Sequence, residues 1–217
     1  MRILLSFTIL SYLLVGSIYV DAQKLKKTVL TKVDSANGMI AKYELGNRYD
    51  GYESLYLFRD RKYKYDIVST GGEAFSSGSW ERKGTDIILN STIRKENVPV
   101  KLELLDSEDS LKRIYKTKIQ IPINLKGQLL SDSKIFINDT STYVFPFFDT
   151  TVGRYDKISR IKVDFGSGFK SDWISVPARE FKQVIVVAQV DFLFPTYIAF
   201  RNKRFKFSNG YLTAKGD

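Results

Sequence analysis

Carboxylates are the side chains with the greatest capacity for acid–base chemistry in this chain. The 217 residues include 24 aspartates and glutamates but no histidine and no cysteine. Ser-His and Cys-His nucleophile pairs are therefore excluded, and zinc would lack its usual ligands. Two carboxylates could still hydrolyse a glycosidic bond, but the sequence does not show which pair would lie at working distance. We therefore rank a carboxylate-based hydrolase as the least favoured function, and we expect no catalytic residue.

A few polar residues stand in unusual positions. Gln189 and Asp191 interrupt the longest apolar run, and a buried carboxylate can mark a functional site. Edge exposure or a structural hydrogen bond is the simpler interpretation, because buried polar groups are normally paired. Asp106, Glu108 and Asp109 could bind Ca²⁺, but they lack the spacing of a calcium loop. The sequence therefore predicts neither a metal site nor a cofactor.

Aromatic residues are the best candidates for binding. Tyr63, Tyr65, Phe75 and Trp80 lie on neighbouring predicted strands and could line the inside of a β-meander. Aromatic side chains are common in ligand pockets, although large apolar residues are more often simply part of the core. These four residues are the predicted lining for a small apolar ligand or a glycan, although for Trp80 a place in the core is the favoured interpretation.

The strands that would position these residues are marked by alternation. The residues from Phe75 to Ser91 read as two strands joined by a turn at Gly84, with Gly78 and Trp80 on the inner face. Gly78 would allow close packing of a neighbour. With the two strands before them, these segments predict a four-stranded antiparallel meander over residues 53–92.

The two upstream strands have the clearest patterns. In the first, Leu55 and Leu57 oppose Tyr56 and Phe58. In the second, one face carries Tyr63, Tyr65 and Ile67, and the other carries Lys62, Lys64 and Asp66. Lysines interleaved with aromatics can bind single-stranded nucleic acid, but here the lysines and tyrosines lie on opposite faces. We therefore expect no nucleic-acid partner.

The whole pattern predicts an all-β protein. An antiparallel meander or barrel-like region would occupy residues 23–118, and a β-sandwich-like region would occupy residues 119–217, with one larger continuous barrel as the alternative. Residues 183–194 predict a central strand because they are rich in β-branched residues. Residues 177–181 suggest a single helical turn. No amphipathic helix of useful length is predicted after residue 22.

The first 22 residues have the composition of a signal peptide. Arg2 is followed by an apolar run that ends at Val20-Asp21-Ala22, a small-x-small cleavage site that would leave Gln23 as the mature start. An uncleaved anchor helix is the alternative. We expect a secreted or periplasmic protein with no transmembrane segment after cleavage, and the absence of cysteine favours a bacterial source.

The net charge of +10 and the pI of about 9.5 predict attraction to polyanions. An anionic envelope surface or an acidic protein is therefore a possible partner, which supports a second function, that of an envelope structural or protein-interaction protein. A solvated surface that merely keeps the protein soluble is the simpler explanation of the charge.

Gly78-Ser79-Trp80, preceded by the strands at residues 55–58 and 63–65, resembles the lipocalin-like modules of exported bacterial proteins. In those modules a hairpin leads into a Gly-x-Trp strand and then an apolar strand, here Ile87-Ile88-Leu89. True lipocalins carry the motif on their first strand, whereas strands precede it here. The resemblance implies a barrel or half-barrel that binds small apolar molecules or partner proteins.

Overall fold

The computed structural model describes residues 24–47, 51–105, 117–139, 143–144, 151–155, 157–179 and 181–215. The predicted signal peptide (residues 1–22), Gln23 and the acidic residues Asp106, Glu108 and Asp109 lie outside the described residues. The described chain is all-β, as predicted, apart from the five-residue helix α1 (Lys32–Ala36) and a 3₁₀ turn at Phe194–Thr196. Neither of these two helical segments has the length and apolar character needed to cross a membrane.

Eight antiparallel strands form a closed barrel. In chain order these strands are β1 (Lys24–Thr28), β2 (Met39–Asn47), β3 (Gly51–Phe58), β4 (Lys62–Ser69), β5 (Gly72–Lys83), β6 (Asp86–Ser91), β16 (Lys203–Ser208) and β17 (Tyr211–Ala214). Around the barrel the order is β1-β17-β16-β6-β5-β4-β3-β2. The predicted four-stranded meander is thus confirmed as β3 to β6.

Alternation along each strand fills the barrel with side chains. The buried cluster inside it comprises Leu25, Ala41, Tyr43, Leu55, Leu57, Tyr63, Tyr65, Trp80, Ile87, Leu89, Phe205 and Leu212. The interior of an eight-stranded barrel is just wide enough to be filled by side chains. The barrel is therefore held together by its own core.

The hairpin of β5 and β6 has the predicted geometry. Trp80 pairs with Leu89 across the two strands, and Gly84 in the turn has a φ of +61°. A Cβ placed on Gly78 would lie 2.1 Å from the backbone oxygen of Asn90. The close approach expected at Gly78 is confirmed, because any larger residue would collide with the neighbouring backbone.

The remaining strands form two further sheets. These strands are β7 (Val100–Leu105), β8 (Thr117–Gln120), β9 (Lys134–Ile137), β10 (Tyr143–Val144), β11 (Thr151–Tyr155), β12 (Arg160–Gly166), β13 (Phe169–Lys170), β14 (Ile174–Ser175) and β15 (Gln183–Ala188). One sheet has the order β10-β9-β12-β13, with β14 also paired to β12, and the other has the order β11-β8-β15-β7. One buried cluster contains residues from both sheets, including Ile135, Val163 and Val186.

Strand pairing crosses the boundary between the two predicted regions at two places. β16 and β17, assigned from sequence to the region 119–217, close the barrel by pairing with β6 and β1. β7, assigned to the region 23–118, pairs instead with β15. The two-sheet region therefore runs from β7 to β15 and is inserted between β6 and β16. These pairings join segments that are far apart in the sequence, which local patterns do not reveal.

The predicted strand over residues 183–194 is only partly correct. β15 is central in its sheet, between β7 and β8, but it ends at Ala188. Asp191 is exposed and lies 3.5 Å from the ammonium of Lys126, so it is not a buried carboxylate. No helical turn is present among the described residues of segment 177–181.

Candidate functional site

The structure separates the four predicted binding residues. Tyr63, Tyr65 and Trp80 point into the barrel, where they are 2%, 6% and 9% exposed. Phe75 lies on the opposite face of β5, where its ring meets Phe192 and Tyr197 edge to face. Only three of the four residues therefore share a compartment, and that compartment is the packed core of the barrel.

The polar atoms of these three core residues have partners within the protein. The Tyr63 hydroxyl lies 2.8 Å from the Ser76 hydroxyl and 3.0 Å from the Ser91 hydroxyl. The Trp80 indole N–H donates to the Phe58 carbonyl at 3.0 Å. These groups are satisfied without a ligand, as buried polar groups usually are.

Burial also raises the pKa of the phenols in the core. It raises the pKa of Tyr63 to about 12, against the opposing effect of its hydrogen bonds to Ser76 and Ser91. Burial raises the pKa of Tyr65 still further, and its hydroxyl donates to the Glu53 carboxylate at 2.5 Å. Both phenols therefore stay protonated above pH 10, where an exposed tyrosine begins to ionise.

Open space lies instead on the outside of the barrel. A groove of about 750 Å³ runs over the outer face of β4 and β5 and the turns beside them. The surface exposed inside the groove is mostly apolar, although several of the residues that line it carry polar or charged groups. The lining residues are Asn37, Gly38, Phe58, Arg59, Asp60, Lys62, Tyr63, Lys64, Phe75 and Ser77. We call this depression the outer groove. Of the four predicted residues, Phe75 lines this groove from the outer face of β5, and Tyr63, whose side chain is buried in the barrel, borders it.

A second depression of about 390 Å³ continues the outer groove along β4 and β5. Lys64 and Phe75 line both depressions, so they stand where the two meet. The extension is bordered by Tyr52 from β3 and by Thr196 from the 3₁₀ turn. An elongated ligand could therefore lie along the strands as well as across them.

Cations and aromatic rings meet on this outer face. The ammonium groups of Lys42 and Lys64 lie 5.6 Å and 5.8 Å from the centre of the Tyr56 ring. A hydrogen bond and ion pair with Asp66 at 2.8 Å raises the pKa of Lys64 above its usual value. These distances fit cation–π contacts.

Sequence reasoning missed the residues that build this face. The sequence predicts that the lysines of β4 lie on the face opposite to Tyr63 and Tyr65, and the structure confirms it. Tyr56 and Phe58 on β3, however, share the outer face with the lysines because β3 and β4 are paired neighbours, with Tyr56 opposite Lys64. The alternation of β3 already showed that Tyr56 and Phe58 share one face. Only the register of β3 against β4 shows that this is the face that carries the lysines.

The described residues contain no group of three or more acidic residues placed to hold a metal ion. No protein-family model, curated protein or solved structure matches the chain.

Proposed function

We propose that the protein is a non-catalytic binding protein that holds a small, largely apolar ligand or glycan in the outer groove. The observation that supports this proposal is an open, mostly apolar groove of about 750 Å³ with Phe58 and Phe75 in its wall. Small-molecule sites are typically concave, apolar and a few hundred to about 1,000 Å³ in volume.

The cations beside the groove narrow the chemistry of the ligand. Arg59, Lys62 and Lys64 line it, and the one carboxylate in its lining, Asp60, lies 3.0 Å from Lys62. The net charge of the lining is therefore positive. A ligand with an apolar body and one anionic group would use both the aromatic wall and the cationic rim.

Export is part of the proposal. It rests on the composition of residues 1–22 and on their small-x-small end at Ala22. The alternative role, contact with an anionic envelope surface or an acidic protein, would use the same lysines and arginines. The two roles differ in whether a small molecule stays with the purified protein.

Native and denaturing mass spectrometry of protein purified from its native host tests the proposal. We expect a bound mass that is present in the native spectrum and lost on denaturation. Phe58→Ala, which removes a ring from the groove wall, should lower the occupied fraction at least several-fold. Tyr211→Ala removes an exposed ring on β17, on the other side of the barrel, and should leave the occupied fraction unchanged.

A bare monomer in the native spectrum would contradict ligand binding and favour the interaction role. Equal loss of the bound mass in Phe58→Ala and Tyr211→Ala would contradict the outer groove as its location.

A further inference from the structure

A second cleft, of about 940 Å³, lies where one end of the barrel meets two loops. It is enclosed by Ser79 of β5, by the end of β6, by the segment 94–97 and by the segment 199–202. In contrast to the outer groove, this cleft has a predominantly polar lining, and the two sets of lining residues do not overlap. A ligand of this cleft would therefore be more polar than a ligand of the outer groove.

Charge is the main feature of this cleft. Arg94, Lys95 and Arg201 line it, against a single carboxylate, that of Glu96. In the part of the chain that the structure describes, none of the three cations is paired with a carboxylate. Cations gathered in a concave site raise the local concentration of anions.

The loop that carries Arg201 is fixed to the barrel. Asn90 accepts a hydrogen bond from the Asn202 N–H at 2.9 Å, and the Ser91 hydroxyl accepts one from the Phe200 N–H at 2.7 Å. The Phe200 ring packs edge to face against Tyr65 in the barrel core, with ring centres 5.2 Å apart. Arg201 therefore stands on an anchored segment.

The loop that carries Arg94 and Lys95 is fixed to the two-sheet region. The Lys95 carbonyl accepts a hydrogen bond from the Lys170 N–H at 2.7 Å, and the Val98 N–H donates to the Lys170 carbonyl at 2.8 Å. The Lys95 ammonium lies 5.8 Å from the centre of the Phe169 ring. The backbone of this loop is therefore held in place before a ligand binds, which reduces the conformational entropy lost on binding.

The side chains around these cations indicate the class of ligand. Arginine forms paired hydrogen bonds with a carboxylate. Asn90, Asn97 and Asn202 bring amide groups, which both donate and accept hydrogen bonds and so match hydroxyl groups. We propose that this cleft binds a small, hydroxyl-rich anion, such as a sugar that carries a carboxylate. The proposal does not depend on a ligand in the outer groove.

Isothermal titration of the purified chain with glucuronate, glucose and inorganic phosphate tests this assignment. We expect glucuronate to bind at least tenfold more tightly than either of the other two probes, because only glucuronate offers both the anion and the hydroxyl groups. The double variant R94Q/R201Q should weaken glucuronate binding at least tenfold.

The matched control is R82Q/K206Q, which removes the same charge from exposed positions on the barrel outside this cleft. It should change glucuronate affinity less than about threefold, as expected of charges that act only at long range. Circular dichroism would establish that both double variants are folded, and F58A should bind glucuronate as the unmodified protein does.

Three outcomes would overturn the proposal. The first is no glucuronate binding at millimolar concentration. The second is an equal loss in R94Q/R201Q and in R82Q/K206Q, which would show that the overall positive charge, not this cleft, attracts the ligand. The third is phosphate binding as tight as that of glucuronate, which would exclude recognition of the hydroxyl groups.

Discussion

The inner and outer faces of strands β3 to β5 are both rich in aromatic residues, yet they have opposite relations to solvent. On the inner face, Tyr63, Tyr65 and Trp80 are buried and their polar atoms are hydrogen-bonded to the protein. On the outer face, Phe58 and Phe75 border an open groove. Aromatic content therefore does not distinguish a packed core from an open groove. The two faces differ in the open volume beside their rings.

The largest expected difference between the two faces concerns stability. Trp80→Ala should lower the free energy of unfolding by about 3–5 kcal/mol, because it leaves a cavity in the barrel core. Tyr56→Ala, on the outer face, should cost about 1 kcal/mol through the loss of its contacts with Lys42 and Lys64. Chemical denaturation of both variants measures the two values. Similar losses would mean that the outer ring is as much a part of the core as Trp80.

Alternation in the sequence was sufficient to assign the two faces of β4. Lys62 to Ser69 alternates so regularly that the inward positions of Tyr63 and Tyr65 were predicted, and the structure confirms them. The turn at Gly84 and the close packing at Gly78 follow from backbone geometry that favours glycine. Such features depend on residues close together in the chain.

Two other features depend on residues far apart, and the sequence did not reveal them. The barrel closes only when β16 pairs with β6, across the whole two-sheet region. The outer groove likewise combines Phe58 from β3, Lys64 from β4 and Phe75 from β5, which come together through strand register. The predicted inner position of Phe75 is wrong, because the inward positions of β5 are those of Ser76 and Trp80 and Phe75 alternates with them.

A second, smaller effect of burial on the inner face is the dependence of stability on pH, through the ionisation of Tyr63. Its pKa is raised to about 12 in the folded protein by burial, so above pH 10 the unfolded chain loses this proton first. Stability is therefore complete below about pH 10 and falls as the pH rises towards 12, by about 2–3 kcal/mol for a shift of this size. Denaturation at several pH values should show a steeper fall in the unmodified protein than in Tyr63→Phe. Equal slopes would show that the Tyr63 phenol is accessible to water.

Ser76 and Ser77 are adjacent on β5 and face opposite sides of the sheet, so they provide the smallest and most closely matched comparison. Replacing either serine by alanine removes a single hydroxyl. The Ser76 hydroxyl is buried and lies 2.8 Å from that of Tyr63 and 2.9 Å from that of Ser91. Ser76→Ala should cost about 1 kcal/mol, because Tyr63 and Ser91 still bond to each other but each loses one partner.

Ser77 faces the outer groove, where water can replace any contact, so Ser77→Ala should change stability by less than about 0.5 kcal/mol. Urea denaturation of the two variants side by side measures the difference. A cost for Ser77→Ala as large as that for Ser76→Ala would mean that the outer face is closed in solution. The groove would then lack the open volume that distinguishes it from the barrel core.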